Sequence, residues 1–435
     1  VYIMAVPRWV WVSVVSVTVI GTFELYAFTR SKETRTMVLR AHFIVILQLV
    51  IGLMGHYIWK NASKCFHQDH DHATFGHKIL TRGPLIILQV GAHASFLFMR
   101  FFLGKDPTVL GYSSFVCFGV LFQLAFCLLT INSVHYLFKK CLGAGSSSKR
   151  QNKLDKLFSH RYRFTISVIY AISLGLYGIY QGAQDPVVKR VSIPIHKLDQ
   201  NFSGFKIVQI SDIHLGPVVG KSRLEKIASK VNELKPDLVV MTGDLVDGSV
   251  ASLKEAAKPA QDIFAPHGKY FISGNHEYYT GDVDNWFGEL QRLGFTVLHN
   301  SNVKIQTGGA TLCLAGTDDI ESERLRYGDH GMDLDKALSS CEQEKPIILL
   351  AHQPWAALRA LQSQYKVDVV LSGHTHAGQM FPLQIFAYLY NPFFAGLYKY
   401  GEHSHVYVSQ GTVFANIPMR VWSQMEISEI VLTAM

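Results

Sequence analysis

The sequence is poor in charged residues and in cysteine. Only 17% of its 435 residues are Asp, Glu, Lys or Arg, against about a quarter in a typical soluble domain, which argues against a purely soluble protein. Six cysteines in a chain of this length exclude a disulfide-stapled scaffold. A hydrophobic share of 49% excludes an intrinsically disordered chain.

Acidic residues are scarce in the first part of the chain. Residues 1–180 hold 19 Lys and Arg but only six acids, a net charge of +13, so the remainder carries −5. The formal charge of +8 is therefore weak evidence for nucleic acid, and we expect no nucleic-acid partner. The basic residues lie mostly between apolar runs, where they suit loops at an anionic membrane surface.

Long apolar runs dominate this basic part. There are five of them, at 9–28, 41–59, 83–103, 111–138 and 163–181. Each is long enough, or nearly so, to cross a bilayer core of about 30 Å as a helix. Five buried helices of a soluble protein within one such stretch are the less favoured interpretation. We therefore expect residues 1–181 to form a multi-pass transmembrane domain of about five helices.

The distribution of basic residues predicts an orientation. With five spans, 13 Lys and Arg fall on the amino-terminal side and nine on the other side, which favours a cytosolic amino terminus. The C-terminal domain is then expected to be extracellular or lumenal. The glycosylation sequon at Asn201 agrees with this orientation, whereas the sequon at Asn61 falls on the opposite side.

Two polar features of the membrane part allow a functional and a structural interpretation. A loop from Cys65 to His77 contains several histidines that could bind a transition metal or form an ordinary solvated loop. Ionisable residues within the spans raise the hypothesis of a transporter or lipid-handling unit coupled to the second domain; helix packing or snorkelling also explains them. They are Glu24, His42, His56, His93 and Arg100.

After a polar linker at 182–204, the pattern changes to alternating strands and helices. The predicted strands are 205–210, 237–241, 270–273, 295–298, 303–306, 311–315, 347–350, 367–371, 405–409 and 427–432. The predicted helices are 221–234, 252–264, 283–293 and 334–340. This alternation favours an α/β domain over 205–435, with two packed sheets and helices outside. The apolar-aromatic stretch 381–400 is expected to cap a cleft, contact lipid or pack in the core.

Polar clusters follow five of these strands directly. They are SDIH at 211–214, GDLVDG at 243–248, GNHE at 274–277, AHQP at 351–354 and GHTHAG at 373–378. Ligands bind at the carboxyl ends of strands in open α/β sheets. A set of imidazoles and carboxylates without a thiolate cluster suits borderline divalent metals. The glycines allow sharp turns and close approach of the backbone. Turn chemistry alone is a poor explanation for five such clusters in order.

These clusters resemble the calcineurin-like metallophosphoesterase family, over about 205–435. The resemblance implies a two-sheet sandwich flanked by helices and two divalent cations, with Mn, Fe or Zn expected. It implies that Asp212, His214 and His376 hold one ion, that Asn275, His352 and His374 hold the other, and that Asp244 bridges both. His276 resembles the family's non-ligand histidine, which faces the substrate phosphate.

The resemblance implies a membrane-anchored hydrolase of phosphomonoesters or phosphodiesters, acting through attack of a metal-bridging hydroxide. His276 would stabilise the developing charge or protonate the leaving oxygen. Proximity to the bilayer favours a lipid-linked substrate. The alternative is a metal-binding regulatory or scaffold protein of the membrane without turnover. The sequence does not predict an oligomeric state.

For several other residues near the clusters we expect mainly structural roles. Asp247 is expected to fix its turn or cap a helix, and Glu277 to support the GNHE loop. Asp318 and Asp319 could shape the substrate cleft, or they could have surface or turn roles. Cys313 and Cys341, which could pair in a lumenal domain, are expected to remain buried thiols.

Overall fold

The computed structural model describes residues 32–66, 75–101, 103–142 and 158–434. A bundle of long helices is followed by a two-sheet α/β sandwich. The first apolar run, 9–28, lies outside the described residues, as does most of the His-rich loop. The predicted combination of a helical membrane part and a two-sheet domain is confirmed.

The bundle consists of four long helices within the described residues. They are α1 (Lys32–Phe66), α2 (Phe75–Phe101), α3 (Val109–Leu142) and α4 (His160–Ala183). Three of them are long and apolar enough to cross a membrane, over Val38–Cys65, Val109–Cys141 and His160–Ala183. Helix α2 covers the third predicted run but is not among the three. The number of spans is therefore approximate, and five remains a prediction.

Polar side chains inside the bundle bond to one another. His93 contacts the side chains of Gln48 and Gln89, so helix packing accounts for this histidine. Asn61 is buried, its amide donates to the Tyr57 carbonyl, and its Oδ1 accepts from Asn132 at 3.1 Å. The Asn61 sequon is thus an internal part of the bundle and does not argue against the predicted orientation.

The sandwich contains twelve strands in two six-stranded sheets. The first sheet has the order β1 (Val187–Ile195), β12 (Glu426–Ala434), β2 (Lys206–Ile210), β3 (Leu238–Met241), β4 (Lys269–Phe271) and β5 (Thr296–Val297). The second has the order β10 (Gly396–Tyr400), β11 (Ser404–Val408), β9 (Val369–Ser372), β8 (Ile347–Leu350), β7 (Ala310–Gly316) and β6 (Ser301–Thr307). Strands β2 to β5 are mutually parallel, as are β7, β8, β9 and β11.

Shorter helices cover the outer faces of the sheets. They are α5 (Lys221–Glu233), α6 (Val250–Ala257), α7 (Asn275–Thr280), α8 (Val283–Arg292), α9 (Glu321–Leu325), α10 (Leu334–Leu338), α11 (Pro354–Leu361) and α12 (Leu383–Tyr390). Successive strand residues point to opposite faces. Ile207 therefore joins the core between the sheets, and its neighbour Val208 joins the core beneath the outer helices.

Two features of the sandwich differ from the sequence expectations. The segment predicted as a polar linker contains β1, which pairs in parallel with the C-terminal strand from Val187 to Ile195; the domain boundaries at 181 and 205 stay predictions. Cys313 and Cys341 form a disulfide rather than free thiols. The expectation of buried thiols was wrong because β7 and the loop after α10 bring the two Cα atoms within 5.7 Å, a separation that a disulfide can span.

The bundle packs directly on the sandwich through small residues of α3 and α4. A Cβ at Gly119 would lie 2.8 Å from Ile417, and one at Gly178 would lie 3.0 Å from both Met419 and Val421. The Gly178 carbonyl accepts a hydrogen bond from the Arg420 amide at 3.0 Å. The loop around 417–421 therefore connects α3 and α4 to the sheet edge that carries the predicted site.

Candidate metal centre

All seven predicted ligands and His276 converge at one edge of the sandwich. The clusters that carry them follow the carboxyl ends of β2, β3, β4, β8 and β9. Because these strands run parallel within their sheets, their carboxyl ends lie side by side. Two groups made up only of predicted ligands have their ligand atoms within 4.8 Å of one another: Asp212 with His214 and His376, and Asp244 with His352 and His374. A third group at the site joins His214 to Asp247 and His276.

The first group is a buried carboxylate with two imidazoles. His214 Nε2 lies 3.0 Å from His376 Nε2, and His376 Nε2 lies 3.4 Å from Asp212 Oδ1. All three residues are buried. Three ligand atoms thus face a common point at spacings that one small cation could fill.

The second group gathers around the amide oxygen of Asn275. His374 Nδ1 lies 2.8 Å from Asn275 Oδ1, and His352 Nε2 lies 3.1 Å from the same atom. The other ring nitrogen of His352 donates to the Thr242 carbonyl at 2.7 Å. This bond holds one proton on Nδ1, so that Nε2 would present a lone pair once a cation displaced its proton. Without a cation, burial disfavours the charged ring, but the Asp244 carboxylate outweighs burial and raises the pKa of His352.

Asp244 lies between the two groups. Its Oδ2 is 3.2 Å from His352 Nε2 and 3.8 Å from His214 Nε2. Its Oδ1 accepts the backbone N–H of His276 at 2.8 Å. One carboxylate oxygen therefore faces an imidazole from each group, which is the arrangement needed for a bridging ligand.

The backbone is strained at five of the seven predicted ligands. These five residues have φ between 49° and 72°, in the left-handed region. They are Asp212, His214, Asp244, His374 and His376. Such conformations cost of order 1–3 kcal/mol each in non-glycine residues and concentrate at functional sites. The strain is explained if the site requires these side chains to point into one small volume.

Two glycines permit the close approach of the loops. A Cβ at Gly274 would lie 2.2 Å from Asp244 Oδ1, and one at Gly373 would lie 2.4 Å from Asp212 Oδ2. Neither distance is possible for a real Cβ. Any residue larger than glycine at these positions of GNHE and GHTH would clash with the neighbouring carboxylate.

Asp247 and Glu277 organise the site without belonging to either ligand group. Asp247 Oδ1 lies 3.0 Å from His214 Nδ1 and 2.6 Å from His276 Nδ1, so it orients both rings. This role was not predicted from the sequence. The available signal was the position of Asp247 as the second Asp of GDLVDG, three residues after the predicted ligand Asp244. Glu277 accepts backbone N–H groups from Asp244, Leu245 and Gly274, which confirms its expected support of the GNHE loop.

Buried negative charge at the site is incompletely balanced by the protein. Burial, followed by the Asp244 carboxylate, raises the pKa of Glu277 to about 7. Burial raises the pKa of Asp319 to about 7 and also raises the pKa of Asp212 above its usual range. Carboxylates crowded in this way stay ionised at neutral pH when cations neutralise them. The donor set and its excess of negative charge therefore fit divalent cations.

The histidines of the site titrate in opposite directions. Burial, reinforced by the charge of His352, lowers the pKa of His374 to about 3, which keeps its ring neutral and able to ligate. Burial disfavours the charged form of His276, but the carboxylates of Asp244 and Asp247 outweigh it and raise its pKa to about 9. His276 is therefore protonated at neutral pH, while His374 is not.

Asp318 and Asp319 are both buried, which excludes a surface role and leaves the cleft and turn roles. Asp319 accepts from Gln353 at 2.8 Å beside the site. Asp318 bonds to His299 at 2.6 Å and lies near His330 in a separate cluster. Each side chain stabilises the loop after β7.

Comparisons with known proteins give a consistent result. The family model for calcineurin-like phosphoesterases matches residues 205–378. A Danio rerio protein named transmembrane protein with metallophosphoesterase domain is 42% identical over 405 residues, covering 92% of this chain and 91% of the relative. A Bos taurus protein of the same name is 43% identical over 349 residues, covering 79% and 78%. A Helicobacter pylori protein described as an uncharacterized metallophosphoesterase is 36% identical over 281 residues, covering 63% and 73%.

Proposed function

Because the chain belongs to the calcineurin-like phosphoesterase family, we propose that it is a membrane-anchored, metal-dependent hydrolase of phosphomonoesters or phosphodiesters. The observation that carries this proposal is the convergence of two ligand groups on either side of Asp244. His276 is oriented by Asp247 and belongs to neither predicted ligand group; structural ions alone would not need such an imidazole, whereas it can bind a substrate phosphate.

The seven residues have separate roles in this proposal. Asp212, His214 and His376 hold one divalent cation, Asn275, His352 and His374 hold a second, and Asp244 contacts both. When bound, two such cations of Mn, Fe or Zn supply a water activated for attack on phosphorus and neutralise charge on the phosphate oxygens.

His276 is the proposed catalytic residue of the protein itself. Its Nδ1 is held by Asp247, so its Nε2 is free to donate a hydrogen bond outward. When the ring carries a second proton, at Nε2, it can bind a phosphate oxygen and donate that proton to the leaving oxygen. Its side chain is 19% exposed, so a substrate can reach it.

Turnover of an aryl phosphate tests the proposal. The full chain in detergent, loaded with Mn²⁺, should release nitrophenol from bis(p-nitrophenyl) phosphate or p-nitrophenyl phosphate. His374→Ala should abolish release and lower the bound metal, because it removes one ligand of the second group. His403→Ala, on the exposed loop before β11, is the matched control and should behave as the unmodified chain.

Two results of this experiment would contradict the assignment. Unchanged hydrolysis in His374→Ala would place the activity elsewhere. A chain that binds two metals per molecule but turns over neither ester would favour the regulatory or scaffold alternative.

We propose a multi-pass membrane protein whose sandwich faces the extracellular space or an organelle lumen. The Cys313–Cys341 disulfide supports this side of the membrane, because disulfides persist in oxidising compartments. The sequon at Asn201 supports it as well, since this residue is exposed in a short turn at Gln200–Phe202. An endoglycosidase should increase the mobility of the chain made in animal cells but not of Asn201→Gln. No shift in the unmodified chain would count against this orientation.

The proposed substrate is a phosphate ester, and the anchoring of the site favours one linked to a lipid. The sandwich contacts the bundle close to the proposed ligand His376. This placement suits a substrate in the membrane, whereas a soluble substrate would not need it.

A further inference from the structure

Helix α12 has no buried side chain, although it follows the metal centre closely in the chain. The segment 377–398 around it contains no Asp, Glu, Lys or Arg. Phe386 is 65% exposed and Leu389 is 74% exposed. Ordinary core packing therefore does not explain this helix, and water is an unfavourable environment for it.

The surface of α4 indicates where the bilayer lies. Apart from Thr165 and Ser173, its exposed side chains from Tyr162 to Tyr180 are aliphatic or aromatic, with tyrosines at both ends. They are Tyr162, Ile166, Ile169, Ile172, Leu176, Tyr177 and Tyr180. Tyr162 and Tyr180 are about 27 Å apart along a helix, close to the hydrocarbon thickness, and tyrosines mark membrane interfaces. The second interface therefore lies at the level of Tyr177 and Tyr180.

Helix α12 is attached to the sandwich at that level. The Gln384 amide donates to the Val421 carbonyl at 2.9 Å, and Val421 packs on Gly178 of α4. Phe381, just before α12, packs on Phe126 of α3 with ring centroids 5.6 Å apart. Trp422, in the same loop, is 61% exposed. The apolar surface of α12 is thus continuous with that of the membrane helices.

The same helix also adjoins both ligand loops. Gly378, two residues after His376, approaches α12 so closely that a Cβ there would lie 2.3 Å from Gln384 Cα. At the other end, Trp355 of α11 donates from Nε1 to the Tyr390 carbonyl at 3.2 Å. Helix α11 follows His352 directly. Helix α12 therefore spans from the loop of one ligand group to the loop of the other.

We infer that α12 and Trp422 lie in the boundary between lipid headgroups and acyl chains, and that the substrate is a phosphate ester of a lipid in that leaflet. The second part rests on the proposed phosphoesterase function. A helix with aromatic and aliphatic side chains and no charge is suited to this depth. It would keep the ligand loops at headgroup height, where a lipid phosphate enters with only a small movement out of the leaflet.

Spin labels measure the depth of α12 independently of any activity. The full chain with Cys141→Ser and Phe386→Cys is labelled and reconstituted into phosphatidylcholine–phosphatidylserine vesicles. A label in lipid collides with dissolved oxygen more than with a water-soluble nickel chelate. We expect this result at Phe386 and the reverse at a Phe264→Cys control, whose native side chain is 70% exposed on the sandwich. Equal accessibility to the nickel chelate at both positions would overturn the inference.

A double variant, Phe386→Gln with Leu389→Gln, tests the substrate class. Vesicles of phosphatidylcholine doped with phosphatidic acid, a monoester, or phosphatidylinositol, a diester, serve as substrates beside a soluble aryl phosphate. We expect lipid hydrolysis to fall by about tenfold or more, since positioning is lost, with the aryl ester hydrolysed as before. Phe264→Gln should leave both rates unchanged.

The outcomes separate the two proposals. A chain that hydrolyses the aryl ester but neither lipid, or a double variant equally active on vesicles, would overturn the lipid substrate alone. A chain inactive on every ester would overturn the phosphoesterase function, while the spin-label result would still decide the position of α12.

Discussion

The bundle and the sandwich use polar residues in opposite ways. In the bundle, His93 bonds to two glutamines and Asn61 bonds to Asn132, so these two side chains have neutral partners. In the sandwich, the Asp212 carboxylate is buried near that of Asp244, and burial together with this neighbour raises its pKa. Polar groups stabilise packing in the first region, whereas in the second they create a demand for cations.

The bundle and the sandwich also differ in backbone conformation. Among the described residues, every non-glycine residue with positive φ lies between Asp212 and Trp422, within the sandwich. The long helices of the bundle need no such conformations. Among the described residues, backbone strain of this kind thus occurs only in the sandwich, and at the five proposed ligands it can be offset by ligand binding.

Arg420 connects the two regions. Its backbone amide donates to Gly178 of α4, and its Nη1 donates to the His376 carbonyl at 2.7 Å. Burial lowers its pKa to about 9, against the opposing effect of the Asp212 carboxylate. One residue, Arg420, therefore bonds both to α4 through its backbone and to the loop of a proposed ligand through its side chain.

The largest effect is expected from Gly274→Ala. The new Cβ would lie 2.6 Å from the Asp244 amide nitrogen as well as close to its carboxylate, so the backbone of one loop must move. Metal content and ester hydrolysis should both be lost, as measured by elemental analysis and product release. Retention of both bound metals would show that the loops tolerate more displacement than their strain implies.

The second effect concerns the disulfide, which distinguishes the sandwich from the bundle. Replacing Cys313 and Cys341 by Ser removes a cross-link between residues 28 apart, which should lower the free energy of unfolding by about 2–4 kcal/mol. Calorimetry on the reconstituted chain measures this change. The four other cysteines, Cys65, Cys117, Cys127 and Cys141, are free in the bundle. Thiol titration of the unfolded chain should therefore find four reactive groups before reduction and six after it.

A smaller effect is expected from Asp247→Asn. This change weakens the hold on the rings of His214 and His276 but leaves every proposed ligand in place. Loss of such an outer contact typically lowers metal affinity or activity about 10–100-fold. Metal titration and the rate of ester hydrolysis should both change. Asp185→Asn, at an exposed position, is the matched control. If metal affinity and hydrolysis rate were unaltered in Asp247→Asn, Asp247 would not be needed to orient the two rings.

The strands and the ligand clusters were predictable because each depends on a short local pattern. Ile347–Leu350 is a buried apolar run bounded by polar residues, and the observed strand has the predicted bounds. Strand β1 was missed because its alternating residues look like a linker until they pair with β12, more than two hundred residues away in the sequence. Helix α12 was missed because eight residues without a charged face carry no helical period.

The roles of the residues around the ligands were not predictable, because they depend on distances between side chains in the folded structure. Asp247 could be recognised as an acid near the site but not as the common partner of two histidines. The disulfide was weighed and rejected, since the spacing of two cysteines does not reveal the distance between their Cα atoms. The residue types of the candidate site were therefore predictable, while the interactions that orient them were not.

The smallest expected effect is the change in stability when one helical glycine is replaced by alanine in each region, because the two unfolded states differ. Gly288 of α8 and Gly52 of α1 are both helical, and a Cβ at either position meets no other atom within 4 Å. Gly288→Ala should raise the stability of the sandwich by about 0.5–1 kcal/mol, because alanine restricts the unfolded chain in water. Gly52→Ala should change stability much less, since a helix in hydrocarbon keeps its backbone hydrogen bonds when tertiary packing is lost. Calorimetry on the full chain in vesicles compares the two. Equal stabilisation would mean that α1 unfolds into water, and α1 would then not be a membrane helix.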